Sequence, residues 1–174
     1  MNKRNKLIKE QIYLGEIVIN KLNISDVSET YLSWLNDPEV GKFTIFGKNK
    51  WTLQKLNQYV MDSLNNPNEI LFGVFIRNKK NKIHIGNVRI HDIDFQNKIG
   101  YIGIIIGDKR FWNKGFASEA IKQASKKAFK NIGLKKLIAG VEINNSSSIK
   151  IFENNGFKKK LFYDSNKVIF EKII

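Results

Sequence analysis

Apolar and polar positions alternate in residues 16–22, which predicts a first β-strand. Two segments with helical spacing follow. The first has its expected cap at residues 23–26 and its end at Asp37-Pro38, and the second begins at the cap Thr52. Three predicted strands come next, at residues 70–77, 82–90 and 99–106, with a polar turn at 78–81 and a loop at 92–98. Such short connections favour antiparallel hairpins.

In the second half of the chain, helices and strands follow one another. Ala120, Ile121, Ala124 and Ala128 share one face of a long predicted helix that ends near Gly133. A strand at 137–143, a helix at 146–154 and two strands at 157–163 and 168–173, joined across 164–167, complete the order. This order predicts an α+β fold with a mixed, mostly antiparallel sheet of about seven strands flanked by helices. Residues 1–12 are expected to form a basic N-terminal extension, and residues 13–174 a single domain.

Composition excludes several classes of protein. The chain has no cysteine and two histidines, which excludes disulfides, thiolate metal sites, a cysteine nucleophile and a multi-histidine metal centre. No apolar run reaches the ~18 residues of a membrane span, and residues 1–10 lack the apolar core of a signal peptide, so we expect a cytoplasmic protein without a membrane partner. The net charge of +14 would suit nucleic acid, but scattered basic residues argue against that partner.

One loop carries a clear chemical signal. Trp112-Asn113-Lys114-Gly115-Phe116-Ala117 lies between the apolar segment 99–107 and the helix that starts at 118. The first N–H groups of a helix have no partner within it, and the helix dipole adds about half a positive charge there. Gly115 and Ala117 are small enough for a phosphate to approach the backbone closely. The loop therefore predicts a binding site for a pyrophosphate-bearing cofactor.

Four segments resemble the GNAT superfamily of acetyl-CoA-dependent N-acetyltransferases, and within it the RimJ/RimL-like branch. Residues 34–40 are similar to the branch's W-x-N-D-P-x-V signature, and residues 103–120 to the Q/R-x-x-G-x-G/A acyl-CoA motif, with Trp112 at its first position. Residues 145–148 match N-x-x-S, and residues 153–157 match E-x-x-G-F. The resemblance covers residues 16–174 and implies a single GNAT-like domain whose sheet is splayed at the acetyl-CoA site.

The resemblance also implies how the chain would hold acetyl-CoA. The backbone of Ile105, Ile106 and Gly107 would pair with the pantetheine arm, and an N–H near Ile105 or Ile106 would stabilise the oxyanion. Asn145 would contact the same arm from the next strand. N–H groups that would hold the pyrophosphate belong to Asn113, Lys114, Gly115, Phe116 and Ala117. Arg110 and Lys114 either screen phosphate charge or are ordinary solvated cations.

The implied reaction is direct attack of a neutral amine on the thioester, so a proton must leave the ammonium form first. Relatives often carry an acidic residue at the position of Tyr101, so the resemblance does not assign the general base here. The candidates are Tyr101, Glu142, His91 and Asp92, and we prefer the first two. Phe152 replaces the tyrosine that protonates the thiolate in many members, and Ser148 is the nearest replacement.

Residues 41–51, between the first two predicted helices, would shape the acceptor cleft in this family. Phe43, Phe46, Lys48, Lys50 and Trp51 make this loop aromatic and basic. Because a polyamine pocket should be acidic, we expect a nucleotide-linked amino sugar as the acceptor. The alternatives are the α-amine of a peptide, as in ribosomal-protein acetylation, and a non-catalytic nucleic-acid- or ribosome-binding protein on the same fold. A homodimer is an expectation from the family alone.

Overall fold

A computed structural model describes residues 16–77, 82–160 and 166–174, and one sheet runs through the described part of the molecule. Its strands are β1 (Glu16–Lys21), β2 (Ile70–Arg77), β3 (Lys82–Asp94), β4 (Ile99–Ile106), β5 (Lys136–Glu142), β6 (Lys158–Lys159) and β7 (Lys167–Ile173). The order across the sheet is β1-β2-β3-β4-β5-β7-β6. Only β4 and β5 pair in parallel among these described strands. The predicted α+β class and mixed, mostly antiparallel sheet are confirmed.

The α-helices of the described residues are α1 (Glu29–Leu35), α2 (Pro38–Gly41), α3 (Leu53–Asn65), α4 (Phe116–Lys127) and α5 (Ser146–Asn154). Each begins at a polar cap except α4, whose N-cap is a glycine. Thr52 caps α3 as predicted, since its side chain accepts a hydrogen bond from the N–H of Lys55. The cap expected for α1 at residues 23–26 is wrong. Asp26 instead closes a one-turn 3-10 helix by accepting from the N–H of Asn23, and Ser28 caps α1.

β3 continues past the predicted end at residue 90, through a bulge between His91 and Asp94. Ile93 holds this extension in place, because its side chain is buried and its N–H donates to the carbonyl of Asn68 at 3.0 Å. The predicted turns at 78–81 and 164–165, the strand residues 161–163 and the N-terminal extension 1–12 lie outside the described residues, as do residues 13–15 of the predicted domain.

Helices cover both faces of the sheet. On one face, Ala120, Ile121 and Ala124 of α4 and Phe152 of α5 pack into the larger core. After α4, residues 128–132 form a π-helical turn that ends at Gly133. On the other face, α1 and α3 bury a second core that includes Tyr31, Trp34, Leu56 and Phe75. We call these the α4/α5 face and the α1/α3 face. Within the described ranges, the helices are too short or too polar to cross a bilayer.

A wedge opens in the sheet between β4 and β5. The two strands pair only at Ile99, Gly100 and Tyr101 of β4, which lie opposite residues 136–138 of β5. Beyond Tyr101 the strands diverge, so residues 102–106 present one backbone edge to the opening. Unpaired N–H and C=O groups at such an edge can bind an extended ligand as another strand would.

Candidate active site

The edge of β4 along the wedge is set by the strand's alternation. The N–H of Gly107 donates to the carbonyl of Ile85 at 2.9 Å, on the β3 side. Because successive N–H groups point to opposite edges, that of Ile105 also faces β3, while those of Ile104 and Ile106 face the wedge. The structure therefore corrects the expectation for Ile105 and Gly107. In this register Ile104 and Ile106 present their N–H groups to the opening.

Trp112 reinforces this edge from the following loop. Its indole N–H donates to the carbonyl of Ile106 at 2.7 Å, which satisfies the one acceptor that Ile106 points into the wedge. Position 112 departs from the Gln or Arg of the wider motif, and this hydrogen bond gives the tryptophan a structural reason to be there. The contact anchors the loop that follows to the end of β4.

The loop before α4 has the shape of an anion cradle. Asn113 and Gly115 both adopt left-handed backbone conformations, with φ of +58° and +81°. Gly115 is the N-cap of α4, and its carbonyl accepts the first helical hydrogen bond from Glu119. The N–H groups of the first helical turn, beginning with Phe116 and Ala117, consequently point out of the helix end. A Cβ on Gly115 would meet nothing within 4 Å, so the space before these donors is open. A pyrophosphate fits this site.

The two cations predicted near the loop have protein partners. The guanidinium of Arg110 makes a bidentate ion pair with the carboxylate of Asp108, with Nε at 2.9 Å from Oδ1. These hydrogen bonds raise the pKa of Arg110 above its usual value. The ammonium of Lys114 donates to the carbonyl of Arg110 at 2.6 Å. The side chain of Lys114 therefore holds the backbone of this segment, and the charge of Arg110 is offset by Asp108.

The W-x-N-D-P segment connects the cofactor loop with the helical side of the molecule. The indole of Trp34 lies directly against Gly107, where a Cβ would overlap the ring. Asn36 makes two hydrogen bonds with the backbone of Trp51, at 2.9 and 3.1 Å. The carboxylate of Asp37 lies 2.7 Å from the ammonium of Lys109, and this hydrogen bond lowers the pKa of Asp37. The W-x-N-D-P pattern identified this segment in the sequence, but its contacts with Gly107, Trp51 and Lys109 depend on the tertiary structure.

The structure brings two of the three predicted catalytic residues to one face. Tyr101 points to the α1/α3 face, because its neighbour Ile102 is buried in the opposite core, and the tyrosine is 41% exposed. Glu142 ends β5 and shares that face by the same alternation. The side chain of Glu142 is exposed. It lies four residues beyond Ile138, the strand partner of Tyr101, which places it roughly 13 Å from Ile138 along β5.

Ser148 and Asn145 lie at the start of α5, on the α4/α5 face. The side-chain oxygen of Asn145 accepts a hydrogen bond from the N–H of Ser148 at 3.1 Å, so Asn145 is the N-cap of this helix. The structure does not bring Ser148 together with Tyr101, since the sheet lies between the faces on which they sit.

A buried ion pair beside the wedge was missed by sequence reasoning. Arg89 donates to both carboxylate oxygens of Glu69, and the hydroxyl of Ser63 donates to one of them at 2.6 Å. Burial raises the pKa of Glu69, but the hydrogen bonds from Arg89 and Ser63 outweigh it and hold the pKa below its usual value. Nearby, burial raises the pKa of Tyr59 to about 12. The one sequence signal was a charged Arg89 between two apolar strand residues.

An aromatic cleft of about 370 Å³ lies on the α1/α3 face, at the start of α3. The rings of Trp51 and Tyr59 line it, and both pack against the ring of Phe46, with the three centroids 5.4–5.9 Å apart. Its lining residues are Asn49, Lys50, Trp51, Lys55, Gln58, Tyr59 and Asp62. The residue types combine flat apolar rings with hydrogen-bonding groups and two cations.

A family model described as an acetyltransferase (GNAT) domain matches residues 16–158. This match spans most of the chain, including the wedge, the anion cradle and the start of α5. The chain belongs to the GNAT family of acetyltransferases.

The chain is similar in sequence to two curated relatives, one of them named as an N-acetyltransferase. An uncharacterised N-acetyltransferase, p20, of Bacillus licheniformis is 28% identical over 157 residues, which cover 87% of this chain and 84% of the relative. An uncharacterised protein of Methanocaldococcus jannaschii is 28% identical over 159 residues, covering 90% of this chain but 31% of that longer protein. A solved domain from the same organism superposes with a TM-score of 0.77 at 27% identity, covering 92% of this chain and 99% of the domain.

More distant solved structures share the fold. Spermidine N-acetyltransferase from Vibrio cholerae, in complex with CoA and spermine, superposes with a TM-score of 0.76 at 18% identity, covering 90% of this chain and 95% of that one. RimL, a ribosomal α-N-protein acetyltransferase in complex with coenzyme A, has a TM-score of 0.79 at 16% identity, with coverage of 91% and 94%. This GNAT domain is an acyltransferase domain, and acetyl-CoA is its cosubstrate.

Proposed function

We propose that this GNAT protein, a member of the RimJ/RimL-like branch, acetylates the primary amine of a nucleotide-linked amino sugar. The observation that carries the proposal is the aromatic cleft beside α3. The ring of Trp51 offers an apolar face on which a sugar can stack, and Lys50 and Lys55 offer cations to a diphosphate. We propose residues 13–174 as the catalytic domain and residues 1–12 as an extension of it, in a cytoplasmic and homodimeric enzyme.

The cosubstrate would lie along the wedge and end at the anion cradle. The backbone N–H groups of the cradle, Asn113, Lys114, Gly115, Phe116 and Ala117, would hold its pyrophosphate. The edge of β4 at Ile104 and Ile106 would pair with the pantetheine arm, and the amide of Asn145 would contact the arm from beyond β5. Arg110 and Lys114 would support the cradle from behind. The left-handed Gly115 and the open space in front of it support this assignment.

Acetyl-CoA supplies the activated acyl group when bound, and the protein has to position the amine and move its protons. The N–H of Ile104 faces the wedge on the side nearer Tyr101, and we propose that it stabilises negative charge that develops on the carbonyl oxygen. Tyr101 and Glu142 line the face from which an acceptor would approach, and we propose that they orient the amine. Ser148, on the other face, is proposed to donate a proton to the leaving thiolate from the start of α5.

Charge is the reason to prefer an anionic acceptor over a polyamine. Two lysines and one carboxylate, that of Asp62, line the aromatic cleft, and the whole chain carries a net charge of +14. A polycation would be repelled on approach, whereas a diphosphate would be attracted.

A second candidate is the α-amine of a peptide, which the fold similarity to RimL favours.

The test is an acetylation assay with three acceptor classes: UDP- and TDP-linked amino sugars, peptides with a free N-terminus, and spermidine. We expect turnover of the amino sugars, and a KM for them that rises in Lys55→Gln. Lys126→Gln, which removes an exposed lysine on the opposite side of the sheet, is the matched control and should leave KM unchanged. Turnover of peptides alone would refute the amino-sugar assignment and favour the second candidate.

A further inference from the structure

Two neighbouring residues of β3, His91 and Asp92, are in direct contact on the α1/α3 side. Nδ1 of His91 lies 2.8 Å from a carboxylate oxygen of Asp92. Adjacent residues of a regular strand point to opposite faces, so this contact requires an irregular backbone. The bulge at this point provides it. Asp92 adopts a left-handed conformation with φ of +48°, and Ile93 returns to the α4/α5 core.

The bulge lies beside the closed end of the wedge. His91 is the cross-strand partner of Tyr101, and their rings stack with centroids 5.8 Å apart and planes inclined by 26°. Tyr101 is the last residue of β4 that pairs with β5, so the imidazole sits next to the point where the strands separate. Its side chain is 27% exposed and accessible from the α1/α3 face. Glu142, the other carboxylate on this face, lies roughly 13 Å further along the wedge.

We infer that His91 is the proton acceptor for the amine substrate and that Asp92 positions it. A carboxylate that accepts from Nδ1–H fixes the tautomer in which Nε2 carries a lone pair. Bulges re-aim side chains next to active sites, and left-handed non-glycine residues cluster there. This inference rests on the proposed function and assigns the general base of the same site.

Acetyl transfer to the acceptor requires its nitrogen to lose two protons. Nε2 of His91 takes one proton from the ammonium group of the acceptor, and the nitrogen lone pair then attacks the thioester carbonyl carbon. The C–N bond forms as the C–S bond breaks, and the sulfur leaves with the bonding electron pair. The sulfur takes a proton from the hydroxyl of Ser148, which the second proton of the nitrogen replaces through solvent, and His91 returns its proton to solvent. The products are an amide and a thiol.

Other charged and titratable groups near His91 do not displace Asp92 as its partner. Arg89 lies on the same strand, but its guanidinium is engaged by Glu69, at the start of β2. Tyr101 of β4 holds the ring by stacking, and Tyr59 of α3 is half-buried near the Arg89 ion pair.

The first arm of the test needs no substrate. Long-range ¹H–¹⁵N spectra of the imidazoles report which ring nitrogen carries the proton. Because the chain has two histidines, the set of signals that disappears in His91→Gln belongs to His91. We expect the Nδ1–H tautomer for His91, and a change of tautomer in Asp92→Gly. Glycine adopts a positive φ without strain, so this variant removes the carboxylate and keeps the bulge. Asp94→Asn is the control, because Asp94 bonds to Asn97 instead.

The second arm measures acetylation of a TDP-linked amino sugar against pH. We expect kcat of His91→Gln to fall by about 100-fold or more with little change in KM, and the acidic limb of the kcat profile to disappear. Asp92→Gly should also lower kcat while keeping the wild-type Tm. An Nε2–H tautomer in the wild type, or a kcat of His91→Gln within about twofold of wild type, would overturn the dyad and leave the proposed function intact. Absence of turnover by the wild type would instead contradict the proposed acceptor, and the spectra would then decide the dyad.

Discussion

A carboxylate at position 115 would test the anion cradle directly. Gly115 has φ of +81° and is the N-cap of α4, with nothing within 4 Å of a built Cβ. Any side chain there adopts the left-handed conformation at a cost of about 1 kcal/mol, without a steric clash. For a domain of this size that corresponds to a fall in Tm of about 2–4 °C. Gly115→Glu should therefore fold.

The effect on binding should be larger than the effect on stability. Two unit charges about 4 Å apart repel by about 1 kcal/mol in water and by about 4 kcal/mol in the partly screened environment of a protein surface. A pyrophosphate bears two negative charges, so even the lower figure gives about 2 kcal/mol. That free energy corresponds to a loss of about 30-fold in affinity for acetyl-CoA.

Isothermal titration with acetyl-CoA measures this loss, and the chain offers two matched controls. Gly115→Gln has the same size and backbone strain without the charge. Gly133→Glu has the same charge and strain, because Gly133 has φ of +82° and open space around it, but it lies about 25 Å away at the far end of the helical segment. We expect the second control to bind like the wild type. Equal affinities for Gly115→Glu and Gly115→Gln would refute a pyrophosphate in the cradle.

Three further predictions concern stability. Arg89→Met leaves the buried carboxylate of Glu69 without its cation, so the free energy of unfolding measured with urea should fall by about 3 kcal/mol. The double variant with Glu69→Met should recover part of this loss, and no recovery would contradict a stabilising role for the ion pair. Burial, as the largest effect, lowers the pKa of His84 below its ordinary 6.5. The unfolded state therefore takes up the proton first, and stability should fall as pH drops below about 6.5, less so in His84→Gln. Gly107→Ala forces a methyl group into a packed indole and should cost about 1–3 kcal/mol in thermal unfolding, whereas Gly103→Ala, with nothing within 4 Å, should cost none.

Element types and several boundaries were predictable because their determinants are local. β4 (Ile99–Ile106) and α5 (Ser146–Asn154) begin and end where apolar periodicity and caps place them. The cap of α1 was not predictable in the same way, since residues 23–26 and Ser28 offer competing polar side chains. Which of them starts the α-helix depends on how Tyr31 and Trp34 pack into the core.

The loop proposed as the anion cradle was also predictable from the sequence, because its N–H donors are consecutive residues at one helix start and Gly115 among them is small. The other parts of the candidate site depend on residues that are distant in the chain. Strand register decided that Ile106 faces the wedge, and a bulge decided that His91 and Asp92 meet. The pairing of Glu69 with Arg89 likewise joins two strands. Periodicity and capping act over a few residues and are encoded locally, whereas register, strand divergence and buried ion pairs arise only when separate segments pack together.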